Sequence, residues 1–334
     1  MAQRTVPQPL NLRERYSDLV AGSSGGPITA VLLVAFFGAW IVVAATGGDF
    51  VTIDNIRSML IRSVALGIVA IGQTLVILAG SLDLSVAYLI SVTAVLSSVI
   101  MDGDPGRIAL GVVVVLGIGA LVGLTNGLVI TKLRVNAFIA TLGMSLILKG
   151  LLTASFDNFS GAVPDDYQVL GYGRIGPFPW AVLLLAALGG AVWYMLNRTR
   201  YGHHLFAVGG DFDTARLSGV RADWVIIRAH IFCSLTAVMT GLFIVSRLRA
   251  GAPWVGPDGA YDLQSIAAVV LGGTALAGGR GGVGGTVAGV FLLAILDNVF
   301  NQLGVNTFLK DVLRGVILIA AIAIYAVRRK RAGR

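Results

Sequence analysis

The sequence predicts an all-α, polytopic membrane protein with about ten transmembrane helices, some of them broken or re-entrant. Three observations predict it. Hydrophobic residues make up 56% of the chain and charged residues only 13%, where soluble chains carry about 25% charged, and the mean hydropathy is +0.85. Apolar runs of bilayer-crossing length recur along most of the chain. Short basic clusters punctuate them, the pattern by which Lys and Arg mark the cytoplasmic side of a membrane.

Residues 1–27 are polar and hold Arg4, Arg13 and Arg15, so they read as a cytoplasmic tail. The run Ile28 to Ala45 follows. Val43 and Ala45 imitate a cleavage site, but the run is longer than a usual signal core and is expected to stay as an anchor. Further spans are expected over Val64 to Ala79, Leu84 to Ile100, Ile108 to Ile130 and Ala137 to Ser155. The second group covers Trp180 to Leu196, Trp224 to Ile244, Leu263 to Ala277, Val283 to Leu303 and Phe308 to Val327. Together they make one transmembrane unit, 28–327, followed by a basic tail, 328–334. Trp40, Trp180, Trp224 and Tyr325 fall near span ends, where interfacial aromatics sit.

Charge orients the stack. The cytoplasmic clusters are the N-terminal arginines, Lys132 with Arg134, the arginines of 197–222, and Arg328 to Arg331. Opposite loops are richer in acids, including Asp102, Asp104, Asp165, Asp166 and Asp258. Both termini are therefore expected in the cytoplasm. Two outer segments, Phe156 to Pro179 and Arg247 to Asp262, read as short caps suited to a partner arriving from outside.

The net charge is +8, but the basic residues form no face with interleaved aromatics, so nucleic acid is not the expected partner. One cysteine, Cys233, permits no disulfide within the chain. His203 and His204 are adjacent and point to different helix faces, a poor metal pair. There is no P-loop and no Gly-Lys pair, so ATP cannot bind in that manner, and no catalytic motif marks an enzyme.

Residues 197–222 are polar, basic and Gly-rich between two apolar spans, so they must lie in water. Asp211 to Gly219 can form a short helix closed by glycine. It reads either as an ordinary loop or as a docking element for a soluble partner. Gly202, Gly209, Asp211, Ala215, Arg216 and Gly219 are its candidate coupling residues.

The candidate pathway residues are Gln73, Ser81, Asp83, Ser85, Asn126 and Thr141. Asp83 sits where two spans meet, and an acid near membrane depth is expensive and a functional candidate. Asp83 or Ser81 can equally cap the helix that follows, and a cap can still line a pathway. The polar side chains can also simply bond helix to helix. Gly111, Gly117, Gly119, Gly123 and Gly127 share one span and allow close backbone contact. The run Gly278 to Gly285, with Arg280 inside it, reads as a tight turn or a broken helix.

Four blocks then carry a family resemblance: Gly72-Gln-Thr-Leu-Val-Ile-Leu-Ala-Gly-Ser-Leu-Asp-Leu-Ser-Val86, Asn126-Gly-Leu through Arg134-Val-Asn-Ala-Phe-Ile-Ala-Thr-Leu-Gly143, Thr199-Arg-Tyr-Gly through Ala215-Arg-Leu-Ser-Gly-Val220, and Leu271-Gly-Gly-Thr-Ala-Leu-Ala-Gly-Gly-Arg-Gly-Gly282. In this order they resemble the permease subunits of ribose-type ABC importers, over nearly the whole chain beyond the N-terminal tail. Ser81 and Ala87 stand where the family usually has glycine, and Asp211-Phe-Asp213 where Asn and Glu are usual. The resemblance implies a multi-pass protein of the bacterial inner membrane. Its partners would be a second permease copy or paralogue, a cytoplasmic ATP-binding subunit holding ATP and Mg, and a periplasmic or lipid-anchored sugar-binding protein. This chain would hold no cofactor. The competing readings are an ion-coupled secondary transporter and an ABC permease for nucleosides or branched-chain amino acids.

Overall fold

A computed structural model describes residues 25–316 and 319. Most of the N-terminal tail, the end of the last expected span with Tyr325, and the basic tail 328–334 lie outside the described residues. The helices are α1 (Gly25–Ala45), α2 (Ile53–Leu78), α3 (Val86–Met101), α4 (Ile108–Lys132), α5 (Ala137–Thr153), α6 (Val169–Tyr172), α7 (Trp180–Arg198), α8 (Arg200–Gly210), α9 (Phe212–Leu217), α10 (Ala222–Leu248), α11 (Val255–Asp258), α12 (Tyr261–Leu271) and α13 (Val283–Gln302). A further helical stretch begins at residue 307. Among the described residues, five helices are long and apolar enough to cross a membrane (α2, α4 with its leading turn, α7, α10 and α13), and three apolar helices are shorter.

Local chemistry sets the ends. Thr52 caps α2 by accepting the Asn55 N–H, with Asp54 in the first turn. Asp104 accepts the Gly106 N–H ahead of α4, and Asn136 accepts the Phe138 N–H at the start of α5. The expected span at Val64 began too late, because the cap at Thr52 sustains α2 through Arg57 and Arg62. At 26 residues and ~1.5 Å per residue, α2 outreaches the hydrocarbon core.

The expected span Leu263 to Ala277 is corrected. Helix α12 stops at Leu271. Gly273 takes φ 87°, and Thr274 N–H turns back to the Val269 carbonyl, which closes the helix with a glycine cap. Eleven residues extend only ~16 Å, about half a bilayer core. Residues 272–282 then run irregularly, with Gly272, Thr274 and Ala275 buried and Leu276, Ala277 and Arg280 exposed; Gly279 and Gly282 donate to the Leu78 carbonyl and the Thr274 hydroxyl.

Helices α2 and α10 form the centre. About 83% of the apolar window of α2 and 67% of that of α10 is buried, against 28% for α4 and 22% for α7. Helix α4 is the most apolar of the five and among the least buried, as expected where lipid, not water, is the outer solvent. Its contact with α10 is close. A Cβ on Gly123 would lie 2.6 Å from the His230 carbonyl oxygen and from Ile231 Cα, and one on Gly127 would lie 2.7 Å from Ile227 Cα. Gly119, Gly123 and Gly127 thus form one contact face, as their four-residue spacing predicts. Gly117 faces open space.

The two outer segments form one cap. Ser160 and Gly251 exchange both backbone hydrogen bonds, at 2.9 and 3.0 Å. Phe159 packs edge-on against Trp254, and a small hairpin pairs Arg174–Ile175 with Phe178–Pro179.

The glycine face yields a test. Gly123→Val should overpack α4 on α10 and cost about 1–3 kcal/mol, lowering the melting temperature of the detergent-purified chain. Gly117→Val, on the open face of the same helix, should leave it within a degree or two. Equal melting temperatures for the two variants would mean that α4 and α10 are not packed as described.

Candidate functional site

The first site is the break between α2 and α3. Helix α2 ends in a glycine cap: Gly80 (φ 77°) donates to the Ile77 carbonyl and Ser81 to that of Val76. Residues 81–84 are irregular, and α3 begins at Val86. Asp83 holds this segment from within. Its Oδ1 accepts the Ser85 N–H at 2.9 Å and the Ser85 hydroxyl at 2.6 Å. The Ser85 oxygen in turn accepts from Asn126 Nδ2 of α4 at 3.0 Å.

The other oxygen of Asp83 faces α10, where His230 Nδ1 lies 3.3 Å away. The same imidazole reaches Ser81 Oγ through Nε2 at 2.9 Å. With Nδ1–H directed at Asp83, Nε2 accepts from the serine hydroxyl. Asp83 and His230 are both wholly buried. Ser81, Asp83, Ser85 and Asn126 therefore form one network, and His230 completes it. Thr141 lies at its margin, with its hydroxyl 2.9 Å from the Ala137 carbonyl and 3.4 Å from that of Leu82. The shorter bond to its own helix takes the proton. Gln73 stands apart. Its Oε1 accepts from Cys233 Sγ at 3.3 Å, and its buried Nε2 has no partner among the described residues.

The cap expectation for Asp83 or Ser81 is corrected: the residue before α3 is Ser85, which makes no side-chain cap bond, while Asp83 accepts from Ser85 within the irregular turn and faces α10 with its second oxygen, and Ser81 bonds to His230. His230 and Cys233 are the residues that sequence reasoning missed. The available signal was a histidine inside an apolar span, which carries the same warning as a buried acid.

The second site is the 199–221 connection. Thr199 caps α8. Asp211 caps α9 by accepting the Thr214 N–H at 2.6 Å. That amide, helped by the Thr214 hydroxyl, holds the Asp211 carboxyl below its ordinary range. The cap's contribution is therefore complete above the ordinary carboxylate pKa and is lost as pH falls through the lowered value. Gly219 (φ 86°) closes α9 as Gly80 closes α2: it donates to the Arg216 carbonyl, and Val220 to that of Ala215. Ala215 is buried, while Leu217 is 85% exposed at the tip. Arg216 is exposed and stands 3.8 Å from Asp213, a pair of little energetic weight. Arg134 lies over the Phe212 ring at 5.5 Å and ties α9 to the α4–α5 loop.

The two sites meet at Leu78. Gly279 N–H donates to the Leu78 carbonyl at 3.0 Å. Gly209, at the end of α8, lies so close that an added Cβ would overlap that same carbonyl and reach 2.6 Å from Gly279 N. The end of α8, the end of α2 and the Gly-rich turn are thus joined backbone to backbone, two residues before Gly80. Gly202 is similarly pressed onto the last turn of α7, where a Cβ would overlap the Leu196 carbonyl. No group of three or more His, Cys, Asp or Glu side chains that could hold a metal occurs among the described residues.

Residues 55–322 match the family described as branched-chain amino acid transport system / permease component. The chain is 35% identical over 298 residues to the ribose import permease protein RbsC of Escherichia coli (strain K12), covering 87% of this chain and 92% of that protein. It is 30% identical over 302 residues to the galactose/methyl galactoside import permease protein MglC of Haemophilus influenzae, covering 85% and 89%. It is 32% identical over 300 residues to the L-arabinose transport system permease protein AraH of Escherichia coli (strain K12), covering 90% of each. No solved structure matches the chain.

The Asp83–His230 pair makes a measurable claim. His230→Leu leaves Oδ2 of a buried carboxylate without its partner and should cost about 3 kcal/mol. Asp83→Asn keeps an acceptor for the Ser85 N–H and should cost less. In a double-mutant cycle on melting of the purified chain, Asp83→Asn with His230→Leu should lose clearly less than the sum of the two single changes. Strict additivity would show that the two side chains do not interact.

Proposed function

Since this chain belongs to the branched-chain amino acid transport system / permease component family, we propose that it is the membrane permease of an ABC importer for a monosaccharide. The family description names branched-chain amino acids, but relatives matching along about nine-tenths of their length carry ribose, galactose and arabinose in their names. A pentose or hexose is therefore the favoured cargo. Sugar release suits weak, uncharged hydrogen-bonding groups better than one tight site.

The remaining parts follow that reading. A separate cytoplasmic subunit binds ATP and Mg, a periplasmic or lipid-anchored binding protein delivers the sugar at the 156–179 and 247–262 cap, and a second copy or paralogue completes the route. The chain sits in the inner membrane as a single permease unit over 28–327 with about ten passes, α12 and the irregular chain 272–282 together counting as one, and both terminal tails lie in the cytoplasm. The observation that carries the mechanism is the Leu78 junction. Movement of α8 and α9, docked on the ATPase, reaches the 80–85 break through Gly209 without any flexible side chain between them. Gly202, Asp211, Ala215, Arg216 and Gly219 keep the docked element in shape. Ser81, Asp83, Ser85, Asn126 and Thr141 set the shape of the break, with Gln73 further along α2.

One observation favours a second reading. A buried Asp–His pair is also what a proton-coupled transporter would carry. Sugar uptake by the lone chain in liposomes under a proton gradient would support that reading and remove the need for an ATPase.

Two tests address the main one. With Cys233 replaced, single cysteines at the Asp165 and Asp258 positions should react with an impermeant thiol reagent from outside, and one at the Arg216 position should not. Reaction at Arg216 from outside would reverse the orientation. In the reconstituted complex, Leu217→Asp or Gly209→Val should uncouple ATP hydrolysis from sugar uptake, lowering uptake per ATP at least ~10-fold for an interaction loss of about 1.4 kcal/mol. Unchanged coupling in both variants would exclude the α8–α9 route.

A further inference from the structure

Beside the proposed coupling element, a cavity of about 590 Å³ opens between α8 and the first two turns of α10. Its size falls within the ~300–1,000 Å³ of ligand sites. Arg200, His204, Arg221 and Arg228 line it together with Tyr201 and Trp224, and among the described residues no acidic side chain does. Among the described residues, none of the three guanidinium groups has an ion-pair partner, and the nearby Asp223 is spent on Lys132 at 2.7 Å. Such a concentration of unneutralised charge in one concavity is a site for an anion.

The surroundings say which anion. Arg228 stands seven residues into the apolar helix α10 and is exposed. An exposed arginine at that place in a spanning helix needs a counter-charge at the membrane boundary. Trp224, 48% exposed one turn earlier, and Tyr201 are the aromatics of an interfacial belt. Phe232, one turn further along the same face, is 41% exposed and lies 6.1 Å from the Tyr201 ring. A charged mouth that continues into an exposed apolar wall matches a phosphate head group followed by acyl chains. A free phosphate ion would have no use for that wall.

We infer that this cavity is a binding site for the head group of an anionic phospholipid, held by Arg200, Arg221 and Arg228. The planar guanidinium groups take the phosphodiester oxygens in paired hydrogen bonds. Gly219, which closes α9, lines the same cavity, so the bound lipid lies against the proposed coupling element. The inference needs the chain to be embedded in a membrane and is independent of which solute it carries.

Native mass spectrometry of the full-length chain, released from detergent after incubation with phosphatidylglycerol or phosphatidylcholine of matched chains, tests it. The wild type should retain phosphatidylglycerol at least ~5-fold better than phosphatidylcholine, as one or more phosphate–arginine contacts near a membrane surface allow. Arg221→Gln with Arg228→Gln should abolish the preference, and Arg228→Lys should restore part of it beside Arg221→Gln. Arg62→Gln, outside the cavity, should leave the preference intact. Equal retention by the wild type and the double glutamine variant would overturn the site. Displacement of the lipid by millimolar inorganic phosphate would overturn the lipid assignment in favour of a soluble anion. Loss of the retained lipid on assembly with the ATPase subunit would overturn it in favour of a protein carboxylate as the counter-charge.

Discussion

The carbonyl of Leu78 is the constraint on which the rest of this structure turns. It ends α2, accepts a hydrogen bond from Gly279 and is approached by Gly209 too closely for any Cβ. Three segments far apart in sequence meet there with backbone alone. Side chains absorb small displacements by changing rotamer. Contacts between bare backbones cannot, so a shift of α8 must move the end of α2, move the Gly-rich turn, or open a gap. Gly80 then redirects the chain within two residues of the contact, which places the break where a displacement of α8 has greatest leverage.

The same logic explains the polar network above the junction. Helices in lipid gain nothing from hiding apolar surface from water, so close packing and hydrogen bonds must hold them. The contact of α4 with α10 supplies the packing through three glycines on one face. Asp83, Ser85, Asn126, His230 and Ser81 supply the bonds, and they tie α3, α4 and α10 to a segment that has no helical bonds of its own. Burying a carboxylate costs desolvation that its hydrogen bonds only partly offset. A network of this kind is therefore better understood as specifying one shape of the break than as adding stability. The irregular backbone at 81–84 is tolerable inside a membrane only because such partners surround it.

Much of this was legible in the residues. Starts and ends of α1, α4, α5 and α7 follow from apolar runs bounded by charges and caps, since a bilayer imposes one length scale on all of them. The short helix α9 was readable from Asp211 and Gly219, which act within one turn and need no tertiary information. What escaped was long-range. The apolar pattern of α12 continues through Gly272 and Gly273, and hydropathy alone cannot tell a spanning helix from a half-helix followed by irregular chain. His230 lies 147 residues from Asp83, and nothing local to either announces the other. The pairing of Ser160 with Gly251 is hidden for the same reason. Gln73 was grouped with the break by its polarity, yet it lies earlier on α2, accepts from Cys233 of α10 and has no partner for its amide nitrogen among the described residues.

The distribution of charge around α8 to α10 separates two tasks that a single basic loop would otherwise confuse. Lys132 is neutralised by Asp223 and Arg134 rests on Phe212, so these two fasten α9 and the start of α10 to the α4–α5 loop. Arg216 faces Asp213 on the exposed side of α9, beside the bare tip of Leu217. Among the described residues, Arg200, Arg221 and Arg228 have no such partners, and they converge on the cavity behind it. The topological rule that places arginines on one side of a membrane demands only their number. Their convergence on one concavity, with tryptophan and tyrosine at its rim and an exposed phenylalanine beyond, is extra order that the rule does not require. On the proposed reading, that surplus makes this end of the molecule two surfaces back to back, one for a protein and one for the membrane, with the six residues of α9 between them.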